Sequence, residues 1–427
     1  SDGTRLLSFV YAHKKALNEL IRRNPEYLQS GPLSAMIRIV QLRTNLSFQN
    51  KTKYFLSELK KVRGSQGRRS IHMQVRRENV FEDSFQSLRG RSISDWRGRL
   101  SITFHGEEGI DAGGLTREWY QVLAREIFNP NYALFTAATD GATFQPNPLS
   151  NINMNHLDYF KFVGRVIGKA IVDGHLMDAH FTRSFYKHVL GIPVDYTDIE
   201  ALEPDYYKSL KQMLEYSLDD LGLELTFSAD VQLFGKHDVV DLIPDGHKIA
   251  VNDANKAEYI KLLAQHRMTT AIRSQIDVFL EGFHDLVPAE LISIFTPTEL
   301  ELLICGLPDV NVEDLRSNTD YQQCRATDDC IVWFWEILRD FSREEKALFL
   351  QFVTGTSKVP LNGFSGLQGI RGPQRFSIHR SHAGPTALPT AHTCFNQLDL
   401  PVYPTKDDLL EKLLMAINEG SEGFGFS

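Results

Sequence analysis

The chain has 427 residues, 42% hydrophobic and 23% charged, with a formal net charge of −8. These are globular proportions, and they exclude a collagen-like or disordered chain; at about 150 residues per domain the length predicts roughly two to four domains. The acidic balance argues against whole-chain attraction to nucleic acid or to an anionic membrane, and four cysteines are too few for a secreted disulfide framework.

The richest apolar runs, 331–335 and 348–353, fall far short of the roughly 18–20 residues that span a bilayer. No membrane partner is expected, and the reading is a soluble chain of cytoplasmic and/or nuclear location. The start, Ser1-Asp2-Gly3, shows neither an initiator Met nor a basic-then-apolar leader, so the expectation is a fragment of something longer.

Residues 1–62 predict helices. Leu6, Leu7, Val10, Leu17, Leu20 and Ile21 recur at spacings of three and four, and Leu33, Met36, Ile37 and Val40 repeat the pattern. A third helix carries Tyr54, Phe55, Leu59 and Val62. Their apolar faces need a partner, either the rest of this chain or a second copy. From Lys51 to Arg77 there are nine Lys/Arg against one acidic residue, Glu58. A solvated face, a docking surface for an acidic partner or for another part of the same protein, and a nucleic-acid site all remain open. The last is disfavoured, because no aromatics interleave the charges in 60–77.

From about Glu78 the pattern is mixed. Arg99–Phe104 alternates like a strand, and the Gly113-Gly114 pair opens a helix at Leu115–Phe128. Helices are predicted at 156–174, 180–190, 206–218, 255–283 and 298–305, with a strand at 224–227. The short polar stretch Val312–Asp320 reads as a hinge. Helices at 331–341 and 343–353 follow, then a glycine-bearing turn region at 363–373. The helical pattern Leu409, Leu410, Leu413, Leu414, Ile417 comes last.

Several chemistries lack their signatures. Cys324 and Cys330 are six apart, not a C-x₂₋₄-C pair, and the 14 His supply no partnered ligand set, so no metal site is expected. Gly363-Phe-Ser-Gly366 is one residue short of a serine-hydrolase elbow, and no glycine triplet opens a helix after a strand. Among the cysteines, Cys305 ends an apolar helix and reads as a core thiol, while Cys324 and Cys330 flank a polar turn. Cys394 lies in a polar turn bracketed by prolines, with His392 and Thr393 close enough to influence it. A nucleophile and an incidental thiol both remain possible on those grounds.

The string Leu388-Pro-Thr-Ala-His-Thr-Cys394-Phe-Asn396 resembles the catalytic-cysteine motif of HECT ubiquitin ligases. In HECT order, Asp111-Ala-Gly-Gly-Leu-Thr-Arg-Glu-Trp119, Tyr159-Phe-Lys-Phe-Val-Gly-Arg165, Glu299-Leu-Glu-Leu-Leu-Ile-Cys-Gly306, Trp333-Phe-Trp335 and Leu350-Gln-Phe-Val-Thr-Gly-Thr-Ser357 resemble its other landmarks. Val75-Arg-Arg-Glu-Asn-Val-Phe-Glu-Asp83 and Glu422-Gly-Phe-Gly425 are most similar to the giant Mule/Tom-type members.

The resemblance implies an α+β bilobal fold behind a helical extension, 1–77. An N-lobe at 78–311 would contain a conjugating-enzyme-binding subdomain at 194–271. A hinge at 312–320 would lead to an α/β C-lobe at 321–427. It implies that Cys394 takes ubiquitin from a conjugating enzyme as a thioester and passes it to a lysine of a protein substrate. No metal or cofactor is required at that step. His392, Thr393, Asn396 and Phe424 would support transfer. Tyr206, Leu210, Met213, Leu223, Leu225 and Tyr259 would form the conjugating-enzyme groove, with Leu223 and Leu225 on a strand, and Tyr132 and Phe234 would hold a second ubiquitin non-covalently. A HECT-like interaction module without transfer is the alternative.

Overall fold

A computed structural model describes residues 2–63, 70–107, 113–233, 235–360, 363–369 and 372–419. Among the described residues, the buried apolar side chains fall into three clusters. The largest unites the N-terminal extension with the N-lobe, and the predicted positions Val10, Ile21, Phe55 and Leu59 all lie in it.

The helices Asp2–Arg23 and Phe48–Arg63 are therefore packed on their own chain. Phe55 meets Phe295 edge-on, with ring centroids 5.3 Å apart. The outer face of the first helix keeps Leu6, Leu7, Phe9 and Tyr11 exposed. Part of the basic stretch is paired within the chain. Lys51 pairs with Glu299 and Arg76 with Asp83, and Arg63 donates to the Arg97 carbonyl. Lys53, Lys60, Lys61, Arg76 and Arg77 stay exposed, so among the described residues a solvated face describes most of the stretch and internal docking describes Lys51 and Arg63.

The N-lobe frame is the helix pair His156–Asp173 and Arg273–His284. A Cβ placed on Gly164 would sit 2.1 Å from the Phe279 carbonyl oxygen, and one on Gly282 would sit 2.1 Å from that of Lys161. Only a missing side chain on each helix permits so close a crossing. The predicted strand Arg99–Phe104 pairs in parallel with Ser70–Val75.

The single helix expected over 255–283 is two, Lys256–Met268 and Arg273–His284, because Thr269 leaves the helical region (φ −131°, ψ −63°). The break divides the apolar residues between two cores. Tyr259, Ile260, Leu263 and Met268 join a small cluster with Leu210 and Met213, whereas Ile276, Phe279 and Phe283 join the large one. The strand expected at 224–227 is also displaced. The observed hairpin is Ser228–Leu233 with Lys236–Asp241, and Thr226 makes only an isolated bridge to Ala250.

Past the helix Pro297–Cys305, residues 306–311 form the irregular connector. The polar stretch expected to be a hinge is instead the helix Val312–Ser317. Asn311 caps it by accepting from the Asp314 N–H at 3.0 Å, and Val312 and Leu315 are buried in the C-terminal cluster. Polar composition there reflects capping chemistry and a solvated outer face.

The C-lobe lays the helices Asp329–Asp340, Arg343–Thr354 and Lys406–Glu419 against a four-stranded sheet. Its strand order is Thr390–His392, Gln397–Leu400, Phe376–Arg380, Thr319–Gln322, antiparallel only at the first pair. Among the described residues, no helix is long and apolar enough to cross a membrane.

Candidate functional site

Cys394 occupies a single 3-10 turn, Thr393–Phe395, between the strands Thr390–His392 and Gln397–Leu400. Asn396 makes the reversal. Its backbone is left-handed (φ 48°, ψ 45°), a conformation Asn tolerates better than most residues. Its side-chain amide, 1% exposed, donates to the carbonyls of Gln368 and Gln374, each at 2.9 Å. Its own carbonyl accepts from the Ser377 N–H at 3.0 Å. The loop carrying the thiol is thus bolted to the lobe beneath it.

The thiol itself faces the other lobe. Cys394 is 7% exposed, and its Sγ donates to the Glu200 carbonyl at 3.2 Å. Burial, reinforced by the Glu200 carboxylate, pushes its pKa up to about 11, against a hydrogen bond from the Thr393 side chain that acts to lower it. Beside it, the Lys208 ammonium lies 5.2 Å from the centre of the Phe395 ring. The Glu200 carboxyl is raised by its own burial, with His392, Lys211 and Lys208 opposing. His392 holds its ring against Asp399, Nε2 to Oδ2 at 3.0 Å. A docked, protonated thiol is a poor nucleophile, since the thiolate is the attacking species.

Burial pushes up the other three thiols too, so a lowered pKa marks none of the four. The position at the lobe boundary distinguishes Cys394.

The predicted groove residues divide. Leu210, Met213 and Tyr259 are buried in the small cluster. Tyr206 and Leu225 are half-buried and Leu223 is exposed. Helical and alternating spacing places residues on a face without saying which face meets solvent, and here half of the set is core. Leu223 and Leu225 lie in irregular chain, not on the strand expected for them. Tyr206 is covered by the Arg267 guanidinium, 3.9 Å from its ring centre. Tyr132 is half-buried and packs on Phe81, with centroids 4.4 Å apart. Phe234 and Phe424 lie outside the described residues.

Sequence reasoning missed Glu200 and Lys208, for which the local pattern carries no signal. It also missed Glu301, a buried carboxylate at the boundary of the lobes. A signal existed there: a lone acid inside the apolar run Leu300-Glu-Leu-Leu-Ile304 must find a partner if that run is buried.

The family model described as HECT-domain (ubiquitin-transferase) matches residues 121–427. The chain is 52% identical over 435 aligned positions to E3 ubiquitin-protein ligase UPL1 of Arabidopsis thaliana, covering all of this chain and 12% of that protein. It is 48% identical over 427 positions to HUWE1 of Mus musculus, covering all of this chain and 10% of that protein. It is 48% identical over 421 positions to TOM1 of Saccharomyces cerevisiae, covering 98% of this chain and 13% of that one. The chain therefore spans only a small part of the length of the relatives it matches. On the family match and these identities together, the chain belongs to the HECT-domain (ubiquitin-transferase) family.

Proposed function

We propose that this chain is the catalytic module of a ubiquitin-protein ligase, with Cys394 as the residue that carries ubiquitin. The supporting observation is the placement of the Cys394 turn at the junction of two lobes, on a loop that Asn396 holds rigid. The Cys394 thiolate attacks the thioester carbonyl of a charged conjugating enzyme, and that enzyme's thiolate leaves. A substrate lysine amine then attacks the new thioester, an isopeptide bond forms, the Cys394 thiolate leaves, and the amine surrenders its proton to a base. Thioester-for-thioester exchange is nearly balanced, so position contributes most of the rate.

The docked thiol cannot attack a thioester carbonyl where it sits, so transfer requires the C-lobe to leave the Glu200 contact. The irregular connector 306–311 is where that movement is placed. The conjugating enzyme takes the face on which Tyr206, Leu223 and Leu225 reach solvent, over a floor of Leu210, Met213 and Tyr259. Thr393, His392 and Asn396 support transfer by shaping the thiol's turn. All four cysteines are free, in keeping with a reducing cytoplasmic or nuclear setting.

The test is a charging assay with a pure conjugating enzyme and ubiquitin. A thiol-reducible ubiquitin adduct forms on the wild-type chain and is lost in Cys394→Ala. An adduct that survives the substitution overturns the assignment, and no adduct on the wild type would leave an interaction module.

A further inference from the structure

The helix Pro297–Cys305 runs straight into the connector, and Glu301 stands five residues before Gly306, about 7.5 Å along the axis at 1.5 Å per residue. Glu301 is 3% exposed. Its Oε1 accepts from the Ser357 N–H, the Ser357 hydroxyl and the Thr356 hydroxyl, each at 2.8 Å. On the N-lobe side, His180 Nδ1 lies 2.7 Å from the same oxygen, and its Nε2 lies 3.0 Å from Asp178. Gln351 of the C-lobe adds a bond to the Thr298 carbonyl at 3.0 Å. One N-lobe carboxylate therefore collects donors from three C-lobe residues: Thr356 and Ser357 on Oε1, and Gln351, whose Nε2 donates to Oε2 at 3.4 Å.

The segment it holds leads directly to the nucleophile. Gly355 precedes Thr356 with φ +80°, and a Cβ there would lie 3.4 Å from the Thr393 Cβ. The chain held by Glu301 thus packs on the residue next to Cys394. When one body turns on another, points near the axis travel least. The Glu301 contact lies beside the connector, whereas the Cys394 contact is with Glu200, in the small subdomain's 3-10 segment Tyr196–Ala201. Rotation about the connector parts the second and leaves the first.

We propose that Glu301 is a positioning residue for ubiquitin transfer, the fulcrum that keeps Thr356–Ser357, and with them the Cys394 turn, seated while the C-lobe swings. The inference rests on the function proposed above and goes beyond it by saying where the swing is supported. The carboxylate is suited to the task. Burial works to raise its pKa, but His180, Ser357 and Thr356 outweigh that and hold the group below the usual carboxylate range. It remains an ionised acceptor, whose bonds to hydroxyl and amide donors are stronger than neutral ones.

The experiment measures single-turnover charging of Cys394 across a range of conjugating-enzyme concentrations for the wild type, Glu301→Gln and the double variant Thr356→Val/Ser357→Ala. Misplacing a nucleophile by about 1 Å costs on the order of a hundredfold, so both variants should charge roughly ten- to a hundredfold more slowly at saturation. The concentration for half-maximal rate should stay within about twofold, because the groove is untouched. The combined triple variant should be no slower than the worse of the two, since both weaken the same contact between the lobes. A Glu301→Gln rate equal to or above wild type overturns the proposal, as does a loss that appears only in the half-maximal concentration, or losses that multiply in the triple variant. If Glu301→Gln fails to fold, the Thr356→Val/Ser357→Ala variant carries the same comparison from the other lobe. A wild-type chain that forms no adduct would instead overturn the ligase reading, and this inference with it.

Discussion

Lys51, 1% exposed, closes on Glu299 at 2.9 Å across 248 residues of chain. Glu299 is also the third residue of a capping box, where it accepts from the Thr296 N–H while Thr296 accepts from its own. One carboxylate thus ties the N-terminal helix Phe48–Arg63 to the first turn of Pro297–Cys305. Two residues later, Glu301 ties that same helix to the C-lobe.

Lys51→Met keeps the stem's volume and removes the ammonium, leaving Glu299 with an unbalanced charge at a mostly buried site. Breaking one partner of a buried pair costs about 3 kcal/mol. Urea unfolding should show that loss, and a change below about 0.5 kcal/mol, the scale of an ordinary surface substitution, would refute the role of this pair.

The docked Cys394 thiol gives a pH signature. Its pKa is pushed up to about 11 by burial in the docked state, against about 8.5 for a free thiol. The docked state therefore binds the proton more tightly. Docking has its full strength below about pH 8.5 and weakens as pH rises from there towards 11. Iodoacetamide labelling of Cys394, followed by mass spectrometry, should keep accelerating above about pH 9 and be slower than for a free thiol throughout. A rate that levels off near pH 8.5 would mean the thiol is not held as described.

Exposure separates two kinds of groove residue. Leu223→Ala should weaken conjugating-enzyme binding about tenfold and leave the melting temperature unchanged, as truncation of an exposed contact residue does. Leu210→Ala removes a side chain that is 1% exposed and should cost about 2–5 kcal/mol of stability. Titration of the conjugating enzyme alongside thermal unfolding distinguishes them. Equal loss of stability in both variants would place Leu223 in the core.

Much of this was legible beforehand. The strand Arg99–Phe104 alternates because one of its faces is buried, and the helix His156–Asp173 ends where its periodic apolar run meets Gly174. The family could be seen in a handful of strings, and Cys394 in one of them. What escaped was tertiary. Nothing near Thr269 shows that the helix there must break so that two cores can share its residues. The polarity of Val312–Ser317 looked like slack chain, although Asn311 caps that helix and the Asp314 carboxylate accepts from the Phe364 N–H. Spacing could not tell Leu210 from Leu223. The contacts of Cys394 with Glu200 and of Glu301 with Ser357 join residues 194 and 56 positions apart, a relation no local pattern encodes.

Asn396 has one more consequence. With its amide bonded to two carbonyls and its backbone left-handed, Asn396 ties the Cys394 turn to its own lobe, so the sulfur moves chiefly as that lobe moves. The aim of the nucleophile is then a property of a whole lobe, like the bearing of a gun fixed to its turret. Altered reach in a variant should register as a change in the solution scattering profile of the entire chain, with the local geometry of the cysteine loop unaltered.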